Sequence, residues 1–143
     1  IESTHFYQNK NAPIEKEFNC IDDRFITNRI CLAAVRIAKT TDVEAIITLT
    51  HSGYTAFQIS AHRPNSHIIV FSSNKRVITM LNLLWGVRAY YYDSDKSTDE
   101  TIIQVNKMTK ELGYVEEEDF VINLNATPAD EFGKTNTLRL TTI

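Results

Sequence analysis

Two segments bring hydroxyl and glycine residues together in a pattern suited to holding a phosphate. The first is Thr50-His51-Ser52-Gly53-Tyr54-Thr55, three hydroxyls and a histidine around a glycine, directly ahead of a short helical pattern that runs on to His62. The first backbone N–H groups of a helix have no intrahelical acceptor, and the helix dipole adds partial positive charge there, so an oxyanion is stabilised at that end. Gly53 lets an anion approach the main chain closely. The second segment, Thr127 to Thr137, includes Gly133, Lys134 and Thr135, and Lys134 is its only cation. Its length, Pro128 and Gly133 suit a lid over a ligand. The candidate phosphate contacts are Thr50, His51, Ser52, Gly53, Thr55, Gly133, Lys134 and Thr135. A plainer reading stands beside this one: Ser52 caps the helix, Gly53 permits the turn, and the second segment is an unadorned connection.

The other reactive side chains support no catalytic constellation. His51-Ser52-Gly53 is not a nucleophile elbow, and neither a dinucleotide fingerprint nor a Walker loop occurs. His5, His62 and His67 are scattered. Asp93 and Asp95 resemble a phosphoacceptor loop, but no acidic pair follows the first strand to hold magnesium. Cys31 is interleaved with Ala33 and Ala34 and reads as a small core residue, while Cys20 has nothing nearby to lower its pKa. No cysteine and histidine cluster has metal-ligand spacing, so neither a metal nor a cofactor is expected in this domain. Tyr90-Tyr91-Tyr92 and Trp85 are expected to pack strand and helix faces.

The elements that must position the two segments follow from periodicity. Ile26, Ile30, Ala33, Ala34, Ile37 and Ala38 place one apolar stripe on a helix with Asp22 and Asp23 at its start. Ala45 to Thr50 is a β-branched strand pattern, Gly53 to His62 a short helix, and Ile68 to Ser72 a second strand. Ser72-Ser73-Asn74 is expected to cap a helix over Lys75 to Trp85, with Gly86 at its left-handed end and a strand over Val87 to Tyr92. Ser97 and Glu100 form a capping box for a helix ending at Gly113, and Phe120 to Asn125 and Thr137 to Ile143 are the last strands.

Strands separated by single helices predict a parallel sheet covered on both faces. The last connection is short and carries no helical pattern, so the final strand is expected to run antiparallel at an edge. The predicted fold is a three-layer α/β/α arrangement around a five-stranded, mostly parallel sheet with an antiparallel C-terminal edge strand. In such sheets ligands bind at the carboxyl ends of the strands where strand order reverses.

Composition excludes several other classes. The chain has 143 residues, 43% hydrophobic and 23% charged, which fits one ordinary domain. Its longest apolar runs, such as Ile68 to Phe71, fall well short of the ~18 residues needed to cross a bilayer. A net charge of −3 without a basic stripe argues against nucleic acid or an anionic membrane as partner. Two cysteines fit a reducing, cytoplasmic compartment. Residues 1–19 are polar and aperiodic and read as a linker or arm, with the domain over 20–143. The chain opens Ile1-Glu2-Ser3-Thr4, with neither a methionine nor a signal-peptide pattern, so a piece of something longer is expected.

Five stretches carry a family resemblance: Ala33-Ala34-Val35, Thr50 to Ala56, Arg63-Pro64-Asn65-Ser66-His67-Ile68-Ile69, Leu83-Leu84-Trp85-Gly86-Val87 and Thr135-Asn136-Thr137-Leu138-Arg139-Leu140. In this order and spacing the chain, over roughly residues 25 to 143, resembles the C-terminal domain of pyruvate kinases. The resemblance implies the topology just described. It also implies a parent enzyme that transfers a phosphoryl group from phosphoenolpyruvate to ADP with magnesium and potassium, in a catalytic barrel domain of the same chain absent from this sequence. The C-terminal domain of that family helps hold a homotetramer together. In many members it also binds a phosphorylated allosteric effector at the loop matched by Thr50 to Thr55, with the loop before Thr135-Asn136-Thr137 closing over it. Departures bear on the ligand. His51 and Tyr54 stand where many relatives carry Lys and Arg, Gln104 stands where an Arg often meets a second phosphate, and Asp130 and Glu131 make the lid acidic. Charge-assisted bonds to phosphate are about twice as strong as neutral ones, so a monophosphate is the expected effector.

Overall fold

The computed structural model describes residues 23–93, 97–126 and 135–143. The elements follow the order helix α1 (Asp23–Thr40), strand β1 (Val43–Leu49), α2 (Tyr54–Ala61), β2 (His67–Ser72), α3 (Lys75–Leu81), β3 (Val87–Tyr91), α4 (Thr98–Glu111), β4 (Phe120–Asn125) and β5 (Thr137–Thr142). The predicted arm over 1–19 and the lid residues from Thr127 to Lys134 lie outside the described residues.

The strands form one sheet in the order β3-β2-β1-β4-β5. β1 to β4 pair in parallel, with Ile46 beside Ile68 and Ile122, and Val70 beside Ala89. β5 runs antiparallel to β4, with Leu138 opposite Leu124, as the short connection predicted. The period of two along each strand sorts the core into halves. Ile46, Ile68, Val70, Val87, Ala89, Ile122 and Leu124 meet Cys31, Ala34 and Val35 of α1, Ala56 and Ile59 of α2, and Val77 and Leu81 of α3. Ala45, Ile47, Ile69, Phe71 and Val121 meet Val105 of α4 and Val115 on the opposite face. These are the three layers expected. After β1 the chain steps one way to β2 and β3, then returns to place β4 on the other side of β1. Strand order therefore reverses between β1 and β4, the position at which open α/β sheets bind ligands, at the carboxyl ends of the strands.

Local chemistry explains the boundaries. Asn74 accepts from the Arg76 amide at 3.1 Å to start α3, and Ser97 accepts from the Glu100 amide at 3.4 Å to start α4. α3 ends at Leu81, earlier than its apolar pattern predicts. The next residue, Asn82, accepts from the Ala89 amide at 2.9 Å and donates to its carbonyl at 3.3 Å. That carboxamide occupies backbone groups on the outer edge of β3, which blunts an open sheet edge. Trp85 and Tyr91 also depart from expectation, being 47% and 50% exposed. Each ring instead lies beneath a cation, Arg63 over Trp85 and Lys75 over Tyr91, both at 5.6 Å. Tyr90 and Tyr92 do pack, each with its ring against that of Phe71.

α1 is rotated relative to its predicted stripe. Ile26 is 42% exposed while Thr27 is fully buried. The Thr27 hydroxyl donates to the Thr135 carbonyl at 3.2 Å, a hydrogen bond that makes a polar residue acceptable inside.

Candidate functional site

β1 ends at Leu49, and the Thr50 amide continues the sheet ladder by donating to the Phe71 carbonyl at 3.0 Å. The chain then turns sharply into α2. Gly53, not Ser52, is the residue that caps the helix; it has φ +86°, in the left-handed region, and no side chain closes the cap. A Cβ at this position would lie 3.1 Å from Leu81 Cδ2 and 3.2 Å from Val77 Cγ1. Glycine is required here by conformation and by space together.

The amides at the entrance of α2 divide into two pairs. The Gly53 amide donates to Thr50 Oγ1 at 2.9 Å, and the Tyr54 amide points to Ser52 Oγ at 3.4 Å. Those two hydroxyls thus hold the turn in shape. No group among the described residues accepts from the Thr55 or Ala56 amides, the second and third of the helix. His51 and Ser52 are exposed at the rim, and Gly53 is buried.

The predicted site residues meet in part. Thr55 and Thr135 come together, their hydroxyls 2.7 Å apart and buried. That bond engages one donor and one acceptor of the pair, and with the Thr27 bond to the Thr135 carbonyl it joins α2, α1 and the lead into β5. Gly133 and Lys134 lie outside the described residues.

Three residues on α1 belong to this corner although periodicity alone did not single them out. Thr27 reaches Thr135, Asn28 accepts from the Tyr54 hydroxyl at 2.8 Å, and the Arg24 guanidinium stands 5.0 Å from the centre of the Tyr54 ring. Arg24 supplies a cation beside a loop whose own sequence has none. The signal was indirect: α1 precedes β1 and runs antiparallel to it, so its first turn must lie at the carboxyl edge of the sheet.

Burial pushes the Cys31 thiol up to about 12, so it stays protonated at neutral pH and is no nucleophile. Among the described residues no group of three or more His, Cys, Asp or Glu side chains is placed to hold a metal ion. No helix among them is long and apolar enough to cross a membrane.

Comparisons with known proteins agree with this architecture. The family model for the pyruvate kinase alpha/beta domain matches residues 28–141. The chain is 33% identical over 115 residues to a pyruvate kinase of Lactobacillus delbrueckii subsp. bulgaricus, covering 80% of this chain and 20% of that protein. To a pyruvate kinase of Lactococcus lactis subsp. lactis it is 32% identical over 141 residues, covering 94% of this chain and 28% of the relative. A Cryptosporidium parvum pyruvate kinase solved in complex with ADP superposes with a TM-score of 0.73 at 27% identity, covering 82% of this chain and 23% of the solved one. The chain therefore spans about a fifth to a quarter of the length of such relatives. On the match of fold, motif order and sequence over most of its length, the chain belongs to the pyruvate kinase family, of which it is the alpha/beta domain.

Proposed function

We propose that this domain binds a phosphorylated small molecule at the entrance of α2 and serves as the regulatory and assembly domain of a pyruvate kinase. The parent reaction, phosphoryl transfer from phosphoenolpyruvate to ADP with magnesium and potassium, belongs in this reading to a catalytic barrel of the same chain. The observation that carries the proposal is the pair of helix amides, Thr55 and Ala56, left without an acceptor among the described residues at the point where strand order reverses. Arg24 beside Tyr54 adds positive charge, while His51 and Ser52 line the exposed rim. One helix terminus and, among the described residues, Arg24 as the nearby cation suit a single phosphate better than two. Regulation then means that the ligand binds one quaternary state of the parent more tightly than another.

Calorimetry with inorganic phosphate, glucose 6-phosphate, ribose 5-phosphate, AMP and fructose 1,6-bisphosphate tests the reading. Binding of at least one monophosphate is expected, with no large gain from the bisphosphate. Absence of heat with all five removes the effector role.

The assembly role is supported by β5. It lies at the outer edge of the sheet with Leu140 42% exposed, so its backbone is placed to pair with a second copy across a twofold axis. Sedimentation of the chain at high concentration is expected to show dimers that a proline at Thr141 removes. A wild-type chain that remains a monomer would refute pairing through this edge.

A further inference from the structure

On the α4 side of the sheet the phenols of Tyr90 and Tyr114 share a hydrogen bond between their hydroxyls. Tyr90 lies on β3 and Tyr114 in the connection from α4 to β4, so the bond joins positions 24 residues apart in sequence. The two ring centres are 6.2 Å apart at an interplanar angle of 60°. Tyr114 also meets the His67 ring at 5.4 Å, and Tyr90 meets the Phe71 ring at 6.0 Å, so side chains of β2 brace both phenols. Both are half-buried, which leaves them within reach of small solutes. Burial and, after it, the bond to Tyr114 push the Tyr90 hydroxyl up to about 12, so Tyr90 is a neutral phenol at physiological pH.

The other described tyrosines are placed differently. Tyr54 donates its hydroxyl to Asn28 and lies 5.0 Å beneath the Arg24 guanidinium, and Tyr91 lies beneath Lys75 on the opposite face of β3. A cation held against a ring opposes the removal of an electron from it. Arg88, the charged neighbour of Tyr90 on its own strand, donates to the Val87 carbonyl at 3.4 Å. Tyr92 packs against Phe71. Among the described residues, Tyr90 and Tyr114 are the one pair of phenols joined through their hydroxyls.

We propose that Tyr90 and Tyr114 are a site of oxidative modification, coupled into a dityrosine within the chain by a small one-electron oxidant such as the carbonate radical. One oxidant molecule takes an electron from each phenol, and each hydroxyl gives its proton to water. The two phenoxyl radicals join through ring carbons ortho to the oxygens, and the hydrogens on those carbons move to the oxygens, which restores both hydroxyls. In balance two electrons reduce two oxidant molecules, two protons enter water, and one carbon–carbon bond forms. The chain becomes lighter by two hydrogen atoms. Rings already held together couple far faster than rings that must first meet. The new bond staples β3, at the margin of the sheet, to the segment that leads into β4 beside β1. It does not depend on any ligand at the entrance of α2.

The test exposes the 143-residue chain to carbonate radical made by radiolysis of bicarbonate buffer. The product is read by dityrosine fluorescence, by size and by mass mapping of its peptides. Expected is a monomer in which the link between Tyr90 and Tyr114 exceeds that of every other tyrosine pair by at least about tenfold. Tyr114→Phe, which keeps the ring and removes the hydroxyl, is expected to lower cross-linking within the chain by at least about tenfold, and concentrated urea, which separates the rings, is expected to do the same. The cross-linked monomer is expected to melt about 5–10 °C higher, because the bond restricts the unfolded chain. A principal link between other tyrosines, a product formed mainly between chains, or loss of tyrosine without any link overturns the site. A link between Tyr90 and Tyr114 that forms equally well in urea also overturns it, because the fold then does not select the pair. An unchanged melting temperature overturns the stapling. The wild-type peptide map decides the matter even if Tyr114→Phe does not fold.

Discussion

Gly53→Val is expected to destabilise the chain by about 2–4 kcal/mol and to abolish phosphate binding. A β-branched residue at φ +86° is strained whatever surrounds it, and its Cβ would enter space already bounded by Leu81 and Val77 at 3.1 and 3.2 Å. Those neighbours belong to α3 and to the core, so relief comes from shifting the turn rather than the helix. A shifted turn breaks the bond from the Gly53 amide to Thr50 Oγ1 and re-aims the Thr55 and Ala56 amides. Urea melts measure the first effect. Titration at a temperature where circular dichroism shows the variant folded measures the second. A variant with wild-type stability would mean that the turn is not conformationally demanding, and one with wild-type binding would mean that the turn does not hold the ligand.

The second large effect lies on the other face. Phe71→Ala is expected to cost about 3–5 kcal/mol, which lowers the melting temperature by about 10–15 °C for a domain of this size. Phe71 is fully buried in a central strand and touches the rings of Tyr90 and Tyr92 at centroid distances of 6.0 and 6.1 Å. It is the largest fully buried side chain of the described residues, and little around a sheet centre can collapse into the space it leaves. Its side chain points toward α4, away from Gly53, so inorganic phosphate binding below the new transition should change by less than about twofold. Loss of binding together with stability would show that the two faces are coupled through β2.

The contrast between these substitutions parallels what could be read from the residues in advance. The β-branched runs and apolar helix stripes specify every described element in its order. The short helix-free connection before Thr137 specifies the antiparallel edge, and Phe120 to Asn125 forms a strand at its predicted bounds. These features depend on local periodicity, which a linear chain displays. What escaped prediction depends on partners far away in sequence. Thr27 turns inward because Thr135 accepts its hydroxyl, 108 positions away. α3 stops at Leu81 because Asn82 bonds the edge of β3. Trp85 and Tyr91 stay half exposed because their strand and turn lie at the margin of the sheet, where no further layer among the described residues covers them.

The candidate site shows the same division. The anion-suited turn at Gly53 is legible from residue types. The internal use of the Thr50, Ser52 and Thr55 hydroxyls is a matter of geometry, as is the arrival of Arg24. Each of these arises where β1, β4 and the first turn of α1 converge, and only the topology brings them together.

The most direct measurement is a titration of the isotopically labelled chain with inorganic phosphate, followed by amide nitrogen and proton shifts. Saturable shifts are expected, largest at Thr55 and Ala56, smaller at Gly53 and Tyr54 whose amides are already engaged, and absent at the start of β2. Shifts absent from the α2 entrance at saturating phosphate, or centred elsewhere in the chain, would contradict binding there.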